Sequence, residues 1–235
     1  MRKLQLAASA ALLAFAANPA SAAIVVGTAG PPPVTGFVKL DPLAPALVSV
    51  GVQTSQNNGL DGNKVYGFDE KQSYTIGSAL TVTLPPGGST NAANLGLLAA
   101  GTNVASHYIF FDPVGLGTAS GTITFNRNIL AIIRTSAGLD ATDALFGIAG
   151  VGYAQGNALR GLEGTASRPN SVFFAVSGNT LRYDTVAGTP GDSFRVLTGG
   201  VPEPATWAFM ILGFGLVGGA LRQAKSRQSV KVRFA

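Results

Sequence analysis

From Phe173 to Val186 the chain reads FFAVSGNTLRYDTV. Two runs rich in strand-forming residues flank Ser177-Gly178-Asn179-Thr180, and Gly and Asn are the residues that accept positive φ in a tight turn. The stretch predicts one β-hairpin. The same texture recurs on either side: ALVSVGVQ from Ala46, KVYGF from Lys64, ALTVTL from Ala79, SHYIFF from Ser106, GTITF from Gly121, ILAIIR from Ile129 and SFRVLT from Ser193. Turn chemistry separates them, in NNGLDGN from Asn57, PPGGSTN from Pro85 and GTPGD from Gly188. In GTITF, Ile123 and Phe125 share one face and Thr122 and Thr124 the other. In SFRVLT, Phe194 and Val196 alternate with Arg195. One face is expected to be buried and the other wet. About nine short strands with no helices to serve as crossovers predict an all-β fold, an antiparallel, jelly-roll-like β-sandwich over residues 23–198. The one helical exception is LDATDALFG, where Asp140 is expected to cap a short turn with Asp143 near its positive end, and Gly147 to stop it. Reading the two acids as calcium ligands is the weaker alternative, because such sites usually need about 6 to 8 oxygen donors.

The two ends of the chain differ from this body. Arg2 and Lys3 precede the apolar LQLAASAALLAFAA, and small residues Ala20 and Ala22 close the segment. That order predicts a secretory signal peptide over residues 1–22, cut by signal peptidase between Ala22 and Ala23. Residues 205–221 carry no charge and are followed by Arg222, Lys225 and Arg227. They read as one transmembrane helix at the short edge of the spanning range, with Trp207 at the outer boundary and the basic tail, residues 222–235, held in the cytoplasm as a stop-transfer signal.

Charge follows the same division. The chain's formal charge is +5, yet without the cations of the two ends and without Glu203 the body keeps nine Lys and Arg against ten Asp and Glu. A body near −1 lacks the basic face that nucleic acid requires, so that partner is excluded. There is no cysteine, hence no disulfide, no thiolate ligand and no thiol nucleophile. His107 is the single histidine. With no second base and no Gly-x-Ser-x-Gly elbow it reads as a strand histidine satisfied by a backbone or tyrosine partner, and one imidazole does not make a zinc site. No metal, cofactor or catalytic residue is assigned. Asp112, Glu163, Asp184 and Asp192 are the acids that a glycosidic mechanism would draw on, and Tyr66, Tyr74, Tyr153 and Tyr183 the aromatics that would stack on sugar. Turn formation and sheet packing account for both sets. Gly213 to Gly218 spells GFGLVG, a dinucleotide fingerprint in letters only, since it lies inside an apolar run with no following acid.

The linker, residues 199–204, ends in Pro202-Glu203-Pro204. The two prolines hold Glu203 extended, which suits recognition by an enzyme that reads an exposed strand. Pro202-Glu203-Pro204, then Trp207-Ala208, then Gly213-Phe214-Gly215 and a basic end resembles the PEP-CTERM sorting signal, in the subtype with Trp-Ala after the motif. That resemblance implies a Gram-negative exported protein, an inner-membrane precursor processed by an exosortase and passed to the cell surface or extracellular matrix. The body, in SHYIFFDPVG, GTITFNRNILAIIRT and GDSFRVLT, is similar to an uncharacterised ectodomain of such proteins, a likeness that implies no activity. A structural or adhesive component of exopolysaccharide or biofilm is the reading that follows. A surface carbohydrate-binding module or polysaccharide hydrolase, with exopolysaccharide as its ligand, is the alternative.

Overall fold

The structure, a computed structural model, describes residues 21–32, 34–40, 60, 62–85, 95–113, 115–162, 172–188, 191–201 and 204–226. The expected strand ALVSVGVQ lies outside them. The body is one compact unit, Ser21–Val201. Among the described residues it holds β1 (Ile24–Gly27), β2 (Phe37–Lys39), β3 (Val65–Asp69), β4 (Tyr74–Thr75), β5 (Leu80–Thr83), β6 (Leu95–Leu98), β7 (Asn103–Phe111), β8 (Gly117–Phe125), β9 (Ile129–Ile133), α1 (Ser136–Phe146), β10 (Val172–Ser177), β11 (Thr180–Ala187) and β12 (Asp192–Gly199). A further helix, α2 (Pro204–Ser226), belongs to a second unit and is described by itself.

The hairpin is present: β10 and β11 pair antiparallel from Val172↔Thr185 to Ser177↔Thr180. Its turn is Gly178-Asn179, with Gly178 at φ +59. β11 then joins β8, and a four-stranded sheet forms in the order β1-β8-β11-β10. The second sheet has eight strands, in the order β2-β3-β7-β12-β9-β5-β6, with β4 also on β7. Four strands against eight is not the even pair of sheets of a jelly roll, so that part of the expectation is corrected. The sheets are also not wholly antiparallel, because β2 runs parallel to β3.

The two sheets share one core. Phe174 and Tyr183 from the small sheet meet Phe194 from the large one, with ring centroids 5.2 and 6.3 Å apart, and Ile123, Leu181, Ile109 and Val196 are fully buried around them. The small sheet behaves as its alternation predicts. Ile123 and Phe125 are buried, Thr122 is exposed and Thr124 half-buried.

The large sheet departs from prediction. Its outer face carries a second core of Phe68, Tyr108, Ala131 and Leu197, covered by Leu139 and Phe146 of α1. Both faces of β7 and β12 are therefore dry, and Arg195, expected on a wet face, has no exposed surface. α1 itself is capped five residues earlier than expected. Thr135, in extended conformation, accepts from the Gly138 N–H at 3.1 Å and caps the helix. Asp140 sits inside the helix and caps nothing. Gly147 does end it, returning its N–H to the Asp143 carbonyl at 2.8 Å. A Cβ there would come within 2.5 Å of that carbonyl, so the position is fixed by size.

Candidate functional site

The features gathered at the end of β12 bear on the tail. After β12 the Gly200 N–H donates to the Asn103 carbonyl at 3.1 Å and the Val201 N–H to the Gln72 carbonyl at 3.4 Å. A Cβ on Gly200 would fall on the Asn103 side chain, 1.7 Å from Oδ1, so only glycine lets the chain pass. Val201 is buried against Ala105 and Ala22. The first and last residues of the body thus meet. Of the residues singled out in the sequence, Ala22 is buried and Ala23 half-buried in this contact. Ala20, Pro202, Glu203 and Arg227 lie outside the described residues. Pro204, Trp207, Ala208, Arg222 and Lys225 lie on α2. Arg222, Met210, Phe214 and Leu221 are exposed on that helix. Among the described residues no helix is long and apolar enough to cross a membrane.

His107 is held by neither of the expected partners. On β3, β7 and β12, three adjacent strands, the sheet register sets Asp69 opposite His107 and Thr198 two residues along from its other neighbour, Val196. His107 Nδ1 lies 2.7 Å from Asp69 Oδ1 and Nε2 lies 3.0 Å from Thr198 Oγ1. Hydroxyl, imidazole and carboxylate in this order are the parts of an activated nucleophile. Here His107 and Thr198 have no exposed surface, and Phe125 packs on the imidazole at 4.7 Å between centroids. Asp69 also accepts from Lys39 Nζ at 2.7 Å and from the Ile24 N–H at 2.9 Å. Burial pushes its carboxyl up, but the hydrogen bond and charge of His107, with Lys39 and Ile24, hold it below the usual range. The arrangement ties three strands together inside the sandwich and presents no hydroxyl to solvent.

Under α1 lies a constellation that sequence reasoning missed. Arg195 grips Glu70 with Nε and Nη2 at 2.6 and 2.8 Å, and donates from Nη1 to Thr142 Oγ1 at 2.6 Å and from Nη2 to Asp143 Oδ1 at 3.0 Å. Arg160 grips Asp143 with Nη1 and Nη2 at 2.7 and 2.8 Å and reaches Asp140 Oδ1 at 2.6 Å. Tyr153 and Ser106 donate to the two oxygens of Glu70, and Arg160 Nε donates to Tyr108 Oη. Both guanidiniums stand over the Tyr108 and Tyr153 rings. Two cations and two carboxylates are thus buried with bidentate geometry, the condition under which a dry ion pair is tolerated. Burial pushes the Asp143 carboxyl up, while the hydrogen bonds and charges of Arg160 and Arg195 hold it below the usual value. Burial raises the Tyr108 and Tyr153 phenols. Asp140 and Asp143, weighed in the sequence as calcium ligands, are engaged by guanidinium instead. Among the described residues no group of three His, Cys, Asp or Glu is placed to hold a metal. The sequence offers its members only one at a time, Arg195 on a strand, Asp140 and Asp143 at a helix start and Tyr153 among the aromatics, with nothing that links them.

Among the described saccharide candidates, Asp112 and Asp192 come together at the paired ends of β7 and β12, with Asp192 opposite Phe111. Tyr183 is buried between the sheets and donates to the Thr28 carbonyl, Tyr66 stacks on Phe110 at 5.2 Å and Tyr74 meets Phe146 edge-on. Asp112 is buried, Asp184 is exposed on β11 and Asp192 accepts from Thr185. Glu163 lies outside the described residues.

A family model, the PEP-CTERM protein-sorting motif, matches residues 200–226. The chain carries that motif. The match opens on Gly200, whose N–H is already bonded to Asn103, and closes on the last residue of α2. Sorting motif and folded body therefore share Gly200 and Val201. The PEP-CTERM motif points to an exported surface protein sorted by an exosortase. No curated protein and no solved structure matches the chain.

Proposed function

We propose that the chain is a surface or extracellular-matrix component whose body is structural or adhesive in exopolysaccharide or biofilm, delivered by its tail. In this reading residues 1–22 are removed by signal peptidase and residues 205–221 hold an inner-membrane precursor with residues 222–235 in the cytoplasm. An exosortase reads Pro202-Glu203-Pro204, with Trp207-Ala208 as subtype signature, and releases or transfers the body. The observation that carries this is the sorting-motif match over residues 200–226. A non-catalytic body agrees with it: the aromatics Tyr66, Tyr74, Tyr153 and Tyr183 pack against other side chains, and the Asp69-His107-Thr198 series is sealed from substrate.

Glu203→Ala tests the sorting step. Immunoblots of membrane, surface and medium fractions from a host with the matching exosortase are expected to show a full-length, membrane-held precursor for the variant. The unaltered chain loses its last thirty or so residues. Identical fractionation of the two would leave the tail a plain anchor.

A further inference from the structure

The first residues of the body are gripped on both sides of one peptide bond. The Asn126 carboxamide donates from Nδ2 to the Ser21 carbonyl at 2.6 Å and accepts at Oδ1 from the Ala23 N–H at 2.7 Å. The Asn126 N–H donates to the Ala23 carbonyl at 3.0 Å. Ser21 Oγ donates to Gln72 Oε1 at 3.1 Å, and Ala22, with no exposed surface, fills the space between Ala105 and Val201. Ile24 then begins β1, paired with Phe125. Asn126 satisfies the extended main chain around Ala22 much as a neighbouring strand would. An enzyme that binds a cleavage segment as an added strand needs the same carbonyls and N–H groups, and must reach the side chain that Ala105 and Val201 enclose. Docking in this seat and binding to such an enzyme exclude each other.

We propose that the seat is a processing gate: the Ala22–Ala23 bond is open to signal peptidase only while β1 is undocked, and a chain that folds first keeps its leader. This rests on reading residues 1–22 as a signal peptide. The reaction is hydrolysis, in which water adds to the Ala22 carbonyl, the C–N bond breaks, and an Ala22 carboxylate and an Ala23 ammonium result. The fold itself provides the time for it. Asn126 lies 103 positions beyond Ala23, so the gate closes only after that much further chain has been exported. Once the cut is made, Ser21 and Ala22 depart with the leader, and the new ammonium takes over the amide's bond to Asn126 Oδ1.

The full-length chain in detergent tests the gate. One portion is diluted from denaturant directly into signal peptidase, another is refolded first, and N-terminal sequencing with intact mass reads the cut. Cleavage at Ala22–Ala23 is expected in the first, with at least tenfold protection in the second. Refolded Asn126→Ala is expected to lose most of that protection with unchanged circular dichroism; if that variant does not fold, Gln72→Ala, which removes the Ser21 side-chain partner, replaces it. Equal cutting of the two portions at Ala22–Ala23 overturns the gate and leaves the leader reading standing; cutting at another bond in both overturns the gate and the boundary given to the leader. No cutting in either portion overturns the leader reading and the gate with it.

Discussion

Leu181-Arg182-Tyr183 on β11 and Phe194-Arg195-Val196 on β12 are the same pattern in sequence, an arginine between two large apolar residues of a strand. Folded, Arg182 is exposed on the outer face of the four-stranded sheet and Arg195 is buried on the outer face of the eight-stranded one. The flanking residues do the same job in both places, pointing into the shared core. What differs is the cover. α1 and the segment through Arg160 close over β7 and β12, and no described element closes over β11 in the same way. Alternation specifies which residues share a face; it carries no information on whether another layer lies on that face.

The sharpest way to break this comparison is to remove each arginine in turn. Arg195→Ala leaves Glu70 buried without its bidentate partner and strips Asp143 of one of its two cations. A loss of about 3–5 kcal/mol is expected, or on the order of 10 °C in Tm for a body of this size, measured by thermal and urea unfolding of residues 21–201. A change under about 1 kcal/mol would mean that water reaches the network.

Asp143→Asn sharpens the same point through pH. The folded carboxyl is held below its usual value by Arg160 and Arg195, so the stability it contributes is present above the unfolded pKa of about 3.9 and is lost as pH falls through the lower folded value. The unaltered body is expected to be more stable by a few kcal/mol near pH 6. The gap to the variant should narrow in unfolding curves recorded below about pH 4. A gap independent of pH would show that Asp143 acts through packing alone.

The smallest effect belongs to the wet face. Arg182→Ala is expected to shift unfolding by no more than about 0.5 kcal/mol. A loss above about 2 kcal/mol in the same measurement would show that the outer face of the small sheet is covered too.

The hairpin, the strands of the small sheet and the register of Ile123 and Phe125 were legible because they rest on local pattern: turn residues, strand formers and a period of two. Gly147 was legible for the same reason. The eight-stranded sheet was only half legible. Its strands were readable in KVYGF, SHYIFF and SFRVLT, but the parallel pairing of β2 with β3 and the meeting of Asp69, His107 and Thr198 depend on contacts 38 and 91 positions apart, which no local pattern encodes. The charged network was hidden for a further reason. Each member has an ordinary local explanation, Asp140 and Asp143 as helix-start acids and Arg195 as a solvent-facing strand residue, and only their convergence distinguishes them. The sorting motif is the reverse case: it is a linear signal, and Pro202-Glu203-Pro204 with the residues that follow it is plain from the sequence by itself.

The route by which the body ends has a mechanical side. β12 is an interior strand, paired with β7 from Asp192↔Phe111 to Gly199↔Val104 and with β9 on its other edge. Traction applied at Val201 along the strand loads both ladders in shear, many hydrogen bonds sharing it at once, with Arg195 as a lateral brace. A tether leaving from an edge strand such as β10 would peel its bonds one after another. A body pulled from this end resists being unravelled by the pull.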